Sequence, residues 1–158
     1  MTHARPVLFR RADEADAVAI TALVADAYGK YIERIGRRPK PMTADQHTAV
    51  RDHEVWVAVD AEDDTLAGVL ELIVTPGSCF IENVAVTPTR QGAGLGRQLL
   101  DLAESEARRR GYAEIGLETN ERFVENLAIY ARRGYVETGR TLVGGTAVIQ
   151  LTKGLDRA

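Results

Sequence analysis

Residues 79 to 119 constrain this chain most. An apolar run, "CFIENVAV", leads through "TPTRQGAGLG" into an amphipathic segment that closes on three arginines and a glycine, and "YAEIGLET" follows. In the middle segment Leu95, Leu99, Leu102, Ala103 and Ala107 recur at helical spacing, which predicts a helix with one buried stripe. Glu104 and Arg108 stand as an i,i+4 pair in the favourable order. Arg108 to Arg110 complement the negative helix end, and Gly111 can take the left-handed conformation that stops it. A strand, a helix and a strand in one sheet need a crossover, so the two strands are expected to be parallel and the connection right-handed.

The flanking segments extend this unit. "VLFRRA" reads as a first strand, and "DEADAVAITALVADAYGKYI" as a helix with Val18, Leu23, Ala27 and Tyr31 on one face. Residues 36 to 42, "GRRPKPM", read as a basic loop broken by proline and glycine, and "TADQHTAVRD" as a short helix. "EVWVAVD" and "LAGVLELIV", separated by "AEDD", form a hairpin. "RFVENLAIYARRG" is a second C-terminal helix with Phe123, Leu127, Tyr130 and Ala131 on one side and Gly134 as its stop. "YVETG" and "TAVIQLT" finish as strands, with "RTLVGG" as the turn. The order predicts one α/β (α+β) domain over residues 1–158, a mixed sheet covered by helices.

Three glycines, Gly92, Gly94 and Gly96, sit where the central helix begins. A helix N-terminus offers unpaired N–H groups and partial positive charge, and side chains would hold a ligand away from them. Glycines let the backbone approach a phosphate closely. Gln91, Gly92, Ala93, Gly94, Leu95 and Gly96 would line such a cradle, with Arg97 adding a cation. A plain tight turn is the alternative, but three glycines cost about 2–3 kcal/mol in a helical setting, more than a turn requires. A P-loop needs Gly-Lys-Ser/Thr, which Gly96-Arg97-Gln98 is not, and the spacing G-x-G-x-G departs from the dinucleotide fingerprint.

At these residues the chain resembles the GNAT superfamily of acetyl-CoA-dependent N-acyltransferases, whose phosphate-loop pattern is Q/R-x-x-G-x-G/A. Gln91, Gly94 and Gly96 match it, preceded by "VAVTP"; "ENLAIYARRGYVE" supplies a second landmark in Asn126, Tyr130, Gly134 and Tyr135. The resemblance implies a mostly antiparallel sheet with a splayed parallel strand pair, and acetyl-CoA as co-substrate. Its pantetheine arm would pair with the backbone of Val84, Ala85 and Val86, and its pyrophosphate would sit on Gln91 to Arg97. One strand N–H would polarise the thioester carbonyl. Tyr130 matches the family's general acid for the CoA thiolate, although its ring also suits core packing. Asn126 would contact the pantetheine, with Asn120 as the competing choice.

The base is read from the strand itself. Glu82 is an acid between apolar neighbours, which a fully buried strand does not need, so it is the first candidate to activate an amine. Glu71 on the neighbouring strand, or water, is the alternative. Tyr28, Tyr31, Arg34, Arg37, Arg38 and the turn "GRTLVGGT" are expected to shape the acceptor site.

The remaining residues exclude more than they propose. Net charge is −3, with no basic excess for nucleic acid or an anionic membrane. The single cysteine, Cys79, permits no internal disulfide and reads as a buried strand residue. His3, His47 and His53 lack metal-ligand spacing, so no metal is expected. With no signal-peptide core and no long apolar run, a cytoplasmic soluble protein is expected. The resemblance implies an amine-bearing small molecule or peptide as partner. Homodimers occur in the resembling family, but no residue selects an oligomeric state. A non-catalytic acetyl-CoA sensor, or an enzyme for a longer acyl-CoA, fits the glycine loop as well.

Overall fold

The structure is a computed structural model that describes residues 5–156; His3 lies outside them. Seven strands form one sheet: β1 (Val7–Arg11), β2 (Glu54–Asp60), β3 (Leu66–Thr75), β4 (Ser78–Val86), β5 (Glu114–Asn120), β6 (Val136–Val143) and β7 (Thr146–Gly154). Their order is β1-β2-β3-β4-β5-β7-β6. Every neighbouring pair is antiparallel except β4 and β5, which run parallel as the crossover requires.

Helices cover both faces. Helix α1 (Ala17–Tyr28) buries Ala17, Ile20, Leu23, Val24 and Ala27 against Val55, Val57, Val59, Val69 and Ala85. On the opposite face the alternate residues Ala58, Leu70 and Leu72 meet the long helix that starts at Leu95. Strand alternation thus feeds two cores from one sheet. Val18, expected on the buried face of α1, is 72% exposed. The stripe is centred on Ile20 and Val24, and the many alanines hide its phase in the sequence.

Between α1 and β2 the chain makes three short helices: α2 (Ile32–Ile35), α3 (Lys40–Thr43) and α4 (Gln46–Asp52). Residues 36 to 42 are therefore not all loop. Pro39 ends the extended stretch, and its fixed φ leads into the turn of α3. The long helix α5 (Leu95–Arg109) buries Leu95, Leu99, Leu100, Ala103 and Ala107, whereas Leu102 is only half-buried. Helix α6 (Val124–Arg132) has no buried residue, and Ala131 is exposed. Residues 140 to 143, expected in a turn, continue β6; only Gly144 and Gly145 turn the chain. Among the described residues no helix is long and apolar enough to cross a membrane.

One buried acid ties these layers. Glu104 lies in the α5 stripe at 2% exposure. It accepts from Lys153 Nζ at 2.6 Å, Arg133 Nη2 at 3.0 Å and the Tyr135 hydroxyl at 3.0 Å. Arg108, its expected partner, stands farther off at 3.9 Å. Burial works against the ionised form, but Lys153 and Arg133 outweigh it, and the carboxyl lies below its ordinary range. At the α5 terminus Arg110 likewise reaches beyond the helix and pairs with the buried Glu54 of β2.

Candidate active site

The site starts from one extra residue in β4. Glu71 pairs with Asn83 and Leu72 with Ile81, so Glu82 has no opposite number in β3 and forms a bulge. The parallel ladder to β5 ends at the same place, after Phe80–Gly116 and Ile81–Leu117. Beyond it β5 stays with β7 as far as Asn120. The two central strands therefore splay from Glu82 onward.

Beyond the bulge, alternation decides which backbone groups face the gap. In a strand, one residue's N–H and C=O point to the same edge and successive residues alternate. Thr87 N–H bonds the Ala67 carbonyl at 3.0 Å, so Asn83, Ala85 and Thr87 face β3. Val84 and Val86 face the gap. Their carbonyls have partners: the Tyr28 hydroxyl lies 3.0 Å from Val84 O and 2.9 Å from Asn83 Oδ1, between which its one proton is shared, and Gln91 Nε2 donates to Val86 O at 3.0 Å. That leaves the N–H groups of Val84 and Val86 for a ligand lying along the strand. Ala85 reaches the gap's wall, but its backbone belongs to β3.

The glycine loop closes one end of the gap. Gly94 caps α5 at φ +88°, no side chain caps it, and Gln98 N–H is the first to bond back, to Gly94 O at 3.2 Å. The N–H groups of Leu95, Gly96 and Arg97 lie ahead of that bond. A Cβ added at Gly92 or Gly94 would meet nothing within 4 Å. No internal packing therefore demands these glycines; their left-handed backbone does, and it leaves an open, donor-rich rim. Leu95 itself is buried, so only its backbone is available. The Gln91 side chain is engaged with Val86 and with Lys30 Nζ at 3.1 Å. Ala93 does not line the cavity, whereas Gly92, Gly94, Gly96 and Arg97 do.

Two cavities meet here. One, of about 420 Å³, runs from the glycine loop along Val84 to Val86 and under α6. The other, of about 460 Å³, is lined by Glu82, Glu118, Gln150 and the residues of the basic segment 37–41. Four residues line both: Tyr28, Val84, Asn126 and Tyr130. The Tyr130 ring stands edge-on to Tyr135, centroids 5.7 Å apart. Burial, with Tyr31 adding to it, pushes its hydroxyl up to about 12, so it is a protonated donor at neutral pH. Asn120 lines the second cavity, but its amide is spent: Nδ2 donates to Thr146 Oγ1 at 2.8 Å and Oδ1 accepts from Arg122 N–H at 2.9 Å.

The carboxylates divide by environment. Glu82 lines the second cavity and receives Lys40 Nζ at 2.9 Å; its side chain is 17% exposed. Glu71 is buried, lines neither cavity and sits 2.6 Å from His53 Nδ1. Burial raises its carboxyl above the ordinary range, with His53 pulling the other way. Arg34 pairs with Glu125 at 2.7 Å and lines neither cavity, and Tyr31 lines the glycine-loop cavity rather than its neighbour. Cys79 is buried, and burial pushes its thiol up. Among the described residues no three His, Cys, Asp or Glu side chains gather as a metal would need.

Residues 19–135 match the model of the acetyltransferase (GNAT) family. The chain belongs to the GNAT acetyltransferase family. An IAA acetyltransferase from Azospirillum brasilense is 31% identical to this GNAT chain over 72 residues, 46% of the chain and 47% of that protein. The match thus spans about half the length of that curated relative. A GNAT-family protein from Desulfovibrio desulfuricans superposes with a TM-score of 0.76 at 25% identity, over 94% of this chain and 99% of that one. A GNAT-family acetyltransferase from Elizabethkingia anophelis, solved with acetyl-CoA bound, superposes with a TM-score of 0.68 at 18% identity, over 94% of this chain and 98% of that one; at that identity the likeness concerns the fold. Sequence reasoning about this GNAT chain missed the Tyr28 bond to Val84 and the Lys40 pair with Glu82. Both join residues more than 40 apart, and no local pattern announces them.

Proposed function

We propose that this chain transfers an acetyl group from acetyl-CoA to a primary amine. The observation that carries this reading is the shared wall: Tyr28, Val84, Asn126 and Tyr130 line both cavities. A thioester lying along β4 from the glycine loop ends at that wall. An amine entering past Glu82 meets it from the other side.

Each residue then has a task. The N–H groups of Leu95, Gly96 and Arg97, the open backbone at Gly92 and Gly94, and the Arg97 guanidinium hold the pyrophosphate. Val86 N–H and Asn126 hold the pantetheine arm, and Val84 N–H polarises the thioester carbonyl. Glu82 takes the proton that the ammonium sheds before its lone pair can attack. The C–N bond forms as the C–S bond breaks, and the electron pair leaves on sulfur. Tyr130 protonates that thiolate and is restored by the second amine proton. The products are an amide, free CoA thiol and one proton, which Glu82 releases to solvent.

The test is an assay of free thiol release from acetyl-CoA across a panel of amines. Thiol release that depends on the amine is the expected result. Acetyl-CoA binding without release for any amine would make the chain a binding module instead.

A further inference from the structure

Arg37 and Arg38 are left without a task by the transfer chemistry. Both line the cavity that holds Glu82. Neither forms an ion pair with a carboxylate among the described residues, although most arginines of the chain do. Their bonds are long and go to neutral oxygens: Arg37 Nη1 to Thr146 Oγ1 at 3.3 Å, and Arg38 Nη2 to Met42 O at 3.4 Å. Arg37 is nevertheless held in place. It is half-buried and packed against the β6–β7 turn, where a Cβ added at Gly144 would come within 3.0 Å of Nη1.

The other charges in this cavity are accounted for. Its charged lining is Arg37, Arg38, Lys40, Glu82 and Glu118. Lys40 and Glu82 neutralise each other across 2.9 Å, and Glu118 accepts from Gln150 at 3.4 Å. The lining therefore holds two guanidinium groups without a carboxylate partner and one exposed acid, Glu118. A polycation is repelled there, whereas a carboxylate finds planar, bidentate partners. Asn83 lines the same cavity, its amide 2.9 Å from the Tyr28 hydroxyl.

The Lys40 contact marks the opposite pole. An ammonium already sits against Glu82, which shows that the carboxylate accepts a primary amine in this geometry. The Lys40 side chain is 74% exposed, so it can swing into solvent when another amine takes its place.

We propose that the acceptor is an amine that also bears a carboxylate, its ammonium against Glu82 and its carboxylate on Arg37 and Arg38. This rests on the acetyl-transfer reading and names its substrate class. The segment 37–40 thereby acts as a specificity element that admits zwitterions and rejects polyamines.

The experiment measures both turnover and binding. Thiol release from acetyl-CoA is followed with the standard amino acids and short ω-amino acids, each beside its carboxamide, together with spermidine and phosphoethanolamine. The same compounds are titrated calorimetrically. The best carboxylate is expected to exceed its carboxamide by at least about 10-fold in kcat/KM, since a site built for a polar group rejects analogues lacking it. Arg38→Gln and Arg37→Gln/Arg38→Gln should each shrink that ratio while leaving acetyl-CoA affinity unchanged. The single variant keeps the test valid if loss of Arg37 disturbs the turn. Carboxamides, spermidine or phosphoethanolamine preferred over every carboxylate would overturn the inference, as would a preference that both variants retain. Carboxylate-selective binding that the variants abolish, with no thiol release, would uphold the site and overturn acetyl transfer.

Discussion

The Gln91 amide donates to the Val86 carbonyl across 3.0 Å and ties the glycine loop to the last residue of the splayed strand. One side chain thus sets the distance between the donors proposed for the pyrophosphate and those proposed for the pantetheine. The first prediction tests this arrangement through affinity. Acetyl-CoA is expected to raise the melting temperature by mass action, with about 2.7 kcal/mol of added stability at a hundredfold excess over Kd. Gly94→Val forces a branched side chain into φ +88° at the cradle's rim, at a cost of about 1–2 kcal/mol in the backbone alone, and should weaken CoA binding severely. Gln91→Ala, which removes the bonds to Val86 O and Lys30 Nζ, should weaken it less than Gly94→Val does. Equal CoA affinity in wild type and a folded Gly94→Val variant would remove the loop from the binding site.

Tyr130→Phe separates chemistry from packing. Phenylalanine keeps the edge-on contact with Tyr135, so the melting temperature and acetyl-CoA affinity are expected to stay near wild type. Turnover should fall by roughly 10²-fold, the usual scale for a positioned general acid. Full turnover in the variant would leave Tyr130 a wall residue only.

Glu82→Gln is expected to lower kcat/KM for the amine by roughly 10²-fold, with CoA affinity little changed. Glu71→Gln is the contrast. Glu71 lines neither cavity and holds His53 at 2.6 Å, so its loss should reach stability first. A comparable loss of kcat/KM in a folded Glu71→Gln variant, with Glu82→Gln like wild type, would exchange the two roles.

The Glu104 cluster predicts an acid dependence of stability. Its carboxyl lies below the ordinary range in the fold, so the folded state binds the proton less readily than the unfolded chain does. The stabilisation is therefore complete above the unfolded value of about 4.3 and is lost as pH falls through the depressed folded value. Glu104→Ala leaves Lys153 and Arg133 without their shared partner and should cost about 3–5 kcal/mol at neutral pH. Urea melts at a series of pH values should show the gap between wild type and variant narrowing towards acid. A gap independent of pH would mean that the charge contributes nothing.

Residues that act through nearby chain positions are legible in the sequence. The α5 stripe, the glycine loop and the arginine–glycine stops are local patterns, and they give the crossover and its parallel strands. Alanine-rich α1 is less legible, because Ala17 and Ala27 can sit in a core or in water and so conceal that Val18 points outward. Glu104 looks like half of a surface pair until β7 brings Lys153 across 49 positions. The same limit holds at the site. Glu82 stands out as an acid among apolar residues, but its bulge depends on the β3 register. Arg37, Arg38 and Lys40 look like a solvated basic loop until the fold puts all three on the lining of one cavity with Glu82, which only Lys40 touches. Asn120 and Asn126 are equivalent in the sequence, and only the contacts with Thr146 and Arg122 separate them.

The parallel ladder of β4 and β5 consists of the pairs Phe80–Gly116 and Ile81–Leu117. Strands β1 to β4 and strands β5 to β7 are thus two plates joined at a narrow isthmus. A slender strand-like ligand in the gap would work as a staple between them. Backbone amides around residues 82–86 and 118–120 should then exchange with deuterium more slowly once the gap is filled, while those of the β2–β3 hairpin hardly change. In that picture the sheet is completed by the molecule it serves, and rigidity arrives with the substrate.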